Sequence, residues 1–149
     1  MNFEFEFTLS VPLNAPVDIG PGPFGMRRYF EVSDGTIVGK KLNGKILPGG
    51  GDWALIGPDG FFRLDVRTQL VTNDGAFIYL YYPGLIELNE TVTRALATGG
   101  STDYGDHYLR STPRFETGDP RYAWLNQSLF VAEGRLSAGA LEYKIYRVA

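Results

Sequence analysis

Hydrophobic and polar residues alternate along most of the chain with a period of two, which is the pattern of β-strands that bury one face. The clearest example is FEFEFTLSV at 3–11, where aromatic and aliphatic residues alternate with glutamate, threonine and serine. Turn signals such as SDG, NG, PDG and NDG separate the stretches that follow. Besides 3–11, we predict strands over 27–32, 36–41, 45–47, 52–56, 61–72, 76–82, 107–117, 127–136 and 141–148.

Two segments depart from this alternation. Residues 12–25, PLNAPVDIGPGPFG, are predicted to form a long loop, because prolines and glycines weaken a strand ladder. One short helix is predicted between Asn89, as its N-cap, and the Gly99-Gly100 pair. About ten strands and one helix make an all-β protein, and a sheet that closes on itself has no exposed edges. We therefore predict a single antiparallel β-barrel domain over 1–149, with a two-sheet sandwich as the alternative.

The composition excludes several classes of function. The 149 residues include no cysteine, which excludes disulfides, thiolate metal sites and cysteine nucleophiles. A net charge of −3 gives no basic stripe for nucleic acid. No apolar run is long enough to span a membrane, and the N-terminus has acids instead of a basic leader, so we expect a cytoplasmic protein without membrane contact. His107 is the one histidine and no nucleotide motif is present, so we expect neither metal nor cofactor.

The longest predicted strand, 61–72, has one apolar and one charged face. The apolar face carries Phe62, Leu64, Val66 and Leu70, and the charged face carries Arg63, Asp65, Arg67 and Gln69. The charged face either points into bulk water, with its charges paired diagonally, or lines a wet cavity. In the second case Arg67, together with Arg110 on the strand predicted at 107–117, would clamp an anionic or phenolic ligand.

The segment LPGGGDW at 47–53 places three glycines before Asp52 and Trp53. It lacks the Gly-Lys-Ser/Thr ending of a phosphate loop, and it suits a barrel rim where the chain bends sharply. Asp52 has no basic neighbour, so burial would raise its pKa and make it the candidate general base. Asp65 has an arginine two residues away on either side, so it should stay ionised and orient Arg67. Alternatively, Trp53 belongs to the core and Asp52 only caps the turn.

Five segments of the chain resemble a bacterial and fungal family known only as domain of unknown function 3237, or uncharacterised protein family 0311. They are PFGMRRYFEV, KLNGKILPGGGDW, DGFFRLDVRTQLVTNDGAFIYL, YLRSTPRFET and YAWLNQSLFVAEG. The resemblance implies a lipocalin-like antiparallel β-barrel, often paired as a dimer, and it implies little about a reaction. The Asp-x-Arg of the family pattern falls on Asp65 and Arg67, which favours placing both inside the barrel. The family more often has an aromatic residue close to where this chain has Thr68 and Gln69.

Our leading hypothesis is a small-molecule-binding barrel that acts as a cofactor-free isomerase, cyclase or lyase on a hydrophobic or aromatic, partly anionic substrate. Asp52 is the predicted base, Arg67 and Arg110 stabilise the anion, and Asp65 orients Arg67. The predicted substrate-binding residues are Trp53, Tyr79, Tyr81, Tyr108, Trp124 and Asn126. One alternative is a carrier that leaves its ligand unaltered. Another is a structural protein whose interior has no cavity of about 300 Å³. A homodimer is a possible assembly.

Overall fold

The computed structural model describes residues 1–149 and consists mainly of antiparallel β-sheet. The α-helix α1 is Glu90–Thr98, and a 3₁₀-helix spans Pro120–Leu125. The strands are β1 Phe3–Pro12, β2 Val17–Gly22, β3 Gly25–Val32, β4 Thr36–Gly39, β5 Gly44–Ile46, β6 Gly50–Ile56, β7 Phe61–Thr72, β8 Phe77–Glu87, β9 Leu109–Ser111, β10 Arg114–Glu116, β11 Leu129–Ser137 and β12 Ala140–Val148. The predicted all-β class is confirmed, although the strands number twelve rather than about ten.

Eight of these strands close into a barrel. Their order around the ring is β1, β4, β5, β7, β8, β9, β11 and β12, after which β12 pairs with β1. The longest ladder runs along β7 and β8, and β12 forms two further long ladders, with β1 from Phe3 opposite Val148 to Pro12 opposite Ala140, and with β11. Since every strand of the ring has neighbours on both sides, the barrel has no continuous free edge.

Predicted boundaries are clearly wrong at three places, and each involves a proline. The strand predicted over 76–82 continues through Pro83, so that β8 ends at Glu87. The segment predicted as a loop over 12–25 contains β2, which pairs with β3 as a hairpin. β2 lies at the end of the sheet, where a strand needs hydrogen-bond partners along one edge only and tolerates Pro21. The strand predicted over 107–117 is divided into β9 and β10 at Pro113. The predicted helix is confirmed: Asn89 Oδ1 accepts a hydrogen bond from the Val92 amide, and Gly99 has a left-handed φ of 66°.

The sheet divides along one edge of β7. Its C-terminal part, Leu70–Thr72, pairs with β5, and its N-terminal part, Phe62–Arg67, pairs with β6. β6 continues into β3 and β2, so these three strands branch away from the ring. The chain between β1 and β2 runs beside this branch, where the Leu13 amide donates to the Gly139 carbonyl and Asn14 Nδ2 donates to the Glu31 carbonyl. The division opens the barrel at one end.

Apolar side chains fill the other end. Phe115 packs edge-on against Phe7 and Phe130, with ring centroids 5.4 and 5.1 Å apart. Trp124, from the 3₁₀-helix, packs beside Phe130 with its ring centroid 6.2 Å away. The three phenylalanines belong to one continuous core of 29 buried residues, and Trp124 is partly buried and packs against it. The remaining free volume therefore lies near the branched end.

The three consecutive glycines allow β6 to lie close to its neighbours. Gly49 makes the turn with a φ of +99°. A methyl group on Gly50 would lie 2.6 Å from the Thr68 Cβ and 2.8 Å from the Arg67 carbonyl oxygen. A methyl group on Gly51 would meet the Tyr29 ring. Only hydrogen fits at these two positions, so the glycines set how closely β6 approaches β7 and β3.

We expect Gly50→Ala to lower the free energy of unfolding by roughly 1–3 kcal/mol, because the added methyl group meets a neighbouring strand that has no room to move. The matched control is Gly118→Ala, since no atom lies within 4 Å of that position and its φ is not positive. The control should stay within about 0.5 kcal/mol of the parent. Urea unfolding followed by tryptophan fluorescence measures both variants. Equal stabilities would show that β6 is not closely packed at Gly50.

Candidate functional site

A cavity of about 410 Å³ occupies the branched end of the barrel. Its walls are largely apolar and come from β1, β3, β7, β8, β12 and α1, including Val11, Phe30, Phe62, Val66 and Ile86. The segment between β1 and β2 and the side chain of Leu96 on α1 border it as well. This volume is within the range of small-molecule sites, about 300–1,000 Å³. The cavity argues against an interior that is packed solid.

Asp52 is the buried carboxylate of this cavity. It lies on β6 opposite Phe30 of β3 and Val66 of β7, and only 6 % of its surface is exposed. Burial raises its pKa from 3.8 to about 6, and the negative charge of Asp65 adds a smaller upward effect. The hydrogen bond from the Asp65 amide acts in the opposite direction. Asp52 is therefore mostly ionised at neutral pH but remains a usable proton acceptor.

A local break in the β6–β7 ladder holds this carboxylate. Bridge pairs are present at Gly51, Asp52, Leu55 and Ile56 and are missing at Trp53 and Ala54. At the break the Asp65 amide donates to Asp52 Oδ1 at 2.9 Å, and the Trp53 carbonyl accepts from Arg27 Nη1 at 2.9 Å. Since Oδ1 is engaged by the main chain and Asp52 lines the cavity, Oδ2 is the oxygen available to a ligand.

Two tyrosines lie behind Asp52. Tyr82 of β8 lines the cavity and packs edge-on against Tyr143 of β12, with ring centroids 5.6 Å apart. Burial first, and the charge of Asp52 second, raises the pKa of Tyr82 well above its usual range. Burial likewise raises the pKa of Tyr143. Its buried hydroxyl lies near Tyr82 but forms no hydrogen bond. Both phenols therefore stay protonated and can donate hydrogen bonds.

Arg28 is the one cationic residue that borders the cavity. It lies on the inner face of β3, and 36 % of its side chain is exposed. Its Nε atom is buried and makes no hydrogen bond. Its nearest carboxylate, Asp18 on β2, lies 4.0 Å from that atom, which is too far for a hydrogen bond.

The predicted placement of the charged face of β7 is wrong. Asp65, Arg67 and Arg110 do not line the cavity. Arg67 is exposed, donates to the Tyr79 hydroxyl at 3.1 Å and lies 4.6 Å from the centre of the Tyr81 ring. Arg110 lies 5.4 Å from the centre of the Tyr108 ring and borders an open outer groove with Arg63. These residues do not converge on Asp52.

The apolar composition of the interior explains this orientation. The apolar face of β7 forms a cavity wall, so the alternating charged face must point outward, where water and aromatic rings accommodate the guanidinium groups. The interpretation drawn from spacing alone, a solvated outer face, matches the structure.

The predicted substrate-binding residues also lie outside the cavity. Trp53 is 43 % exposed and packs on Tyr29. Tyr79 and Tyr81 alternate with inward-facing residues on β8. Tyr108 directly precedes β9, is exposed and borders the outer groove. Trp124 belongs to the filled end of the barrel, and Asn126 exchanges two hydrogen bonds with the main chain of Thr117.

The residues that sequence reasoning missed had a detectable signal. Tyr82 is in phase with the buried Leu80 and Ile86, and Tyr143 is in phase with Leu141 and Ile145. A hydroxyl on an otherwise apolar face indicates a polar group inside the barrel. Arg28 had the same signal, because it is in phase with Phe30 and Val32 on β3.

Neither the one histidine nor the acidic side chains form a cluster that could bind a metal ion. His107 is buried away from the cavity and lies 2.9 Å from the Thr102 hydroxyl. No group of three or more histidine, cysteine, aspartate or glutamate side chains is arranged to hold a metal ion. None of the helices has the length and apolar character needed to cross a lipid bilayer.

Sequence comparison gives matches over the whole chain. The model of a family described as "Protein of unknown function (DUF3237)" matches residues 1–148. A UPF0311 protein of Clostridium acetobutylicum is 32 % identical over 151 residues, which cover 100 % of this chain and 95 % of that protein. A protein of Penicillium roqueforti named PR-toxin biosynthesis cluster protein 7 is 30 % identical over 121 residues, which cover 78 % of this chain and 61 % of that protein.

Solved structures share the same architecture. A conserved protein of unknown function from Rhodopseudomonas palustris has a TM-score of 0.88 at 30 % identity, covering 99 % of this chain and 97 % of that one. A β-barrel-like protein from Acinetobacter baumannii has a TM-score of 0.82 at 34 % identity, covering 99 % and 96 %. A structure described as an enzyme from Penicillium herquei has a TM-score of 0.73 at 19 % identity, covering 99 % and 94 %, and shows a likeness of fold alone.

The raised pKa of Asp52 predicts a specific pH dependence of stability. A carboxyl whose pKa is higher in the folded state stabilises the fold while protonated, and this contribution is lost as the pH rises through the folded pKa of about 6. The difference between 3.8 and about 6 corresponds to about 3 kcal/mol. Asp52→Asn should therefore gain up to about 3 kcal/mol relative to the parent, and this gain should develop as the pH rises from about 4 to about 6.

Urea unfolding at several pH values measures this gain. Glu116→Gln is the control, because the exposed Glu116 side chain forms no hydrogen bond and no salt bridge. The free energy of unfolding of this variant should follow that of the parent at every pH. A constant difference between Asp52→Asn and the parent would contradict the raised pKa.

Proposed function

Because the chain belongs to the DUF3237 family of proteins of unknown function, whose name assigns no reaction, we propose its function from the cavity itself. We propose a cofactor-free enzyme that transfers a proton within a hydrophobic or aromatic, partly anionic substrate, as an isomerase, cyclase or lyase. The observation that carries the proposal is one buried carboxylate with a raised pKa in an apolar cavity of about 410 Å³. A base in such surroundings is poised near neutral pH.

Asp52 is the base in this mechanism. Its Oδ1 is held by the Asp65 amide, so Oδ2 takes a proton from the bound substrate without a change of rotamer. Removing that proton leaves negative charge on the substrate, and an apolar site needs a donor to stabilise it. The Tyr82 hydroxyl, which stays protonated because its pKa is raised, is the donor we assign to this role. The reaction needs only a base, a donor and a shaped cavity.

Two similarities support a catalytic role without defining it. A relative named for a toxin biosynthesis cluster is 30 % identical over 121 residues, and a fold neighbour is described as an enzyme. The alternative function, a carrier that releases its ligand unaltered, would use the same cavity but would need no base.

We expect the protein to catalyse proton removal from 5-nitrobenzisoxazole, a neutral aromatic probe. A carboxylate takes the C3 proton, the electron pair forms the nitrile, and the N–O bond breaks to release a coloured phenolate. The rate should rise with pH and level off above about pH 6, as Asp52 becomes ionised. Asp52→Asn should lower the rate roughly 100-fold, and Tyr82→Phe should lower it less.

Absorbance of the released phenolate measures the rate, with Glu116→Gln as the control. This control changes an exposed carboxylate on β10, outside the cavity, and should keep the parent rate. If Asp52→Asn turns over the probe as fast as the parent, Asp52 is not a base and the carrier alternative is favoured.

A further inference from the structure

We propose that Arg28 forms a carboxylate-binding subsite at the mouth of the cavity, so that the ligand is a hydrophobic or aromatic monocarboxylate. The inference deepens the proposed function, since it names the substrate class of the same cavity. It rests on the position of one guanidinium group, on the charges around it and on the register of β3 and β6.

The charges that border the cavity are distributed unevenly. Arg28 is its one cation and is partly exposed, which places the guanidinium group toward solvent. Glu31 also borders the cavity, but it is exposed and, by the alternation along β3, lies on the opposite face of the strand from Arg28. Asp52 is 6 % exposed and lies deeper. An anionic group deep in the cavity would meet the charge of Asp52 in apolar surroundings, where repulsion is poorly screened. A ligand with one negative charge is therefore oriented with its anionic end at the mouth and its apolar body inward.

The register of the β3–β6 ladder places Arg28 and Asp52 near each other. Phe30 lies opposite Asp52, and Arg28 lies opposite Ala54. Arg28 and Asp52 are thus diagonal neighbours on the same face of the ladder, where such positions are about 7–8 Å apart. Long side chains reach across such a separation, yet Arg28 and Asp52 form no salt bridge with each other. Both residues border the same cavity, so one ligand can contact the guanidinium group and the carboxylate together.

The free donors of Arg28 favour a carboxylate. Its Nε atom is buried and makes no hydrogen bond, so a ligand reaches the guanidinium group at the exposed Nη atoms. The two Nη atoms form a planar pair that matches the two oxygens of a carboxylate. Asp18 is 58 % exposed and 4.0 Å from Nε, so it competes only weakly for the guanidinium group.

Binding of 2-naphthoate and its uncharged amide, 2-naphthamide, tests the subsite by isothermal titration calorimetry. The two probes share one aromatic body and differ in the carboxylate. The parent should bind naphthoate more tightly than naphthamide. Arg28→Gln should weaken naphthoate binding roughly 10–100-fold and leave naphthamide binding within about twofold, because only the carboxylate loses a charged partner.

Two further variants complete the test. Arg114→Gln is the matched control, because Arg114 is an exposed arginine on β10 that does not border the cavity. It should bind both probes like the parent. Asp18→Asn should strengthen naphthoate binding about two- to threefold by removing the competing carboxylate, and this variant decides the matter if Arg28→Gln does not fold.

Equal binding of the two probes by the parent would overturn the proposal, as would an equal loss of both probes in Arg28→Gln. Such a result leaves the role of Asp52 intact, because the base is tested by turnover of a neutral probe. Conversely, a failure of Asp52→Asn to change turnover leaves a carboxylate preference at Arg28 standing, as a property of a carrier.

Discussion

The site depends on one hydrogen bond, from the Asp65 amide to the Asp52 carboxylate, at a break in the β6–β7 ladder. A continuous ladder would engage this amide with a main-chain carbonyl. At the break, the Asp52 carboxylate takes the place of that main-chain carbonyl, and one of its oxygens accepts the hydrogen bond from the amide. The same interaction lowers the cost of burying the charge, although burial still dominates and the pKa stays near 6. A fixed but incompletely solvated carboxylate is the result.

The division of the sheet gives this carboxylate access to a ligand. If β5 continued along the full length of β7, the ring would close around side chains at both ends. Because β6 takes over part of that edge and leads to β3 and β2, the wall opens next to Asp52. The three glycines at 49–51 allow the chain to pass from β5 to β6 within a few residues. Gly49 has a positive φ, and Gly50 and Gly51 let the β6 backbone lie close to β7 and β3. The same glycines thus shape the fold and the site.

The sequence predicted most of the architecture but only some of the residues of the site. The alternation in β7 separated Phe62, Leu64 and Val66 from Asp65 and Arg67 correctly, because a period of two assigns residues to faces. The alternation does not show which face of β7 is inside, since that depends on closure of the barrel. The family resemblance favoured placing the charged face inside the barrel, which is wrong. Asp52 was found because it lacks a basic neighbour. Arg28 was missed although it is in phase with the inward-facing Phe30 on β3, because a long charged side chain can reach solvent from such a position.

The energetic cost of Asp52 is an argument for catalysis over transport. At neutral pH the buried carboxylate destabilises the fold by an amount equivalent to its raised pKa, about 3 kcal/mol against a typical total of 5–15 kcal/mol. An asparagine would keep the hydrogen bond to the Asp65 amide and the shape of the cavity without this penalty. A carrier for a hydrophobic carboxylate would also bind its ligand better without a second negative charge inside. A base is the role that requires an ionisable group at this position, and enzymes commonly accept such a loss of stability at their active sites.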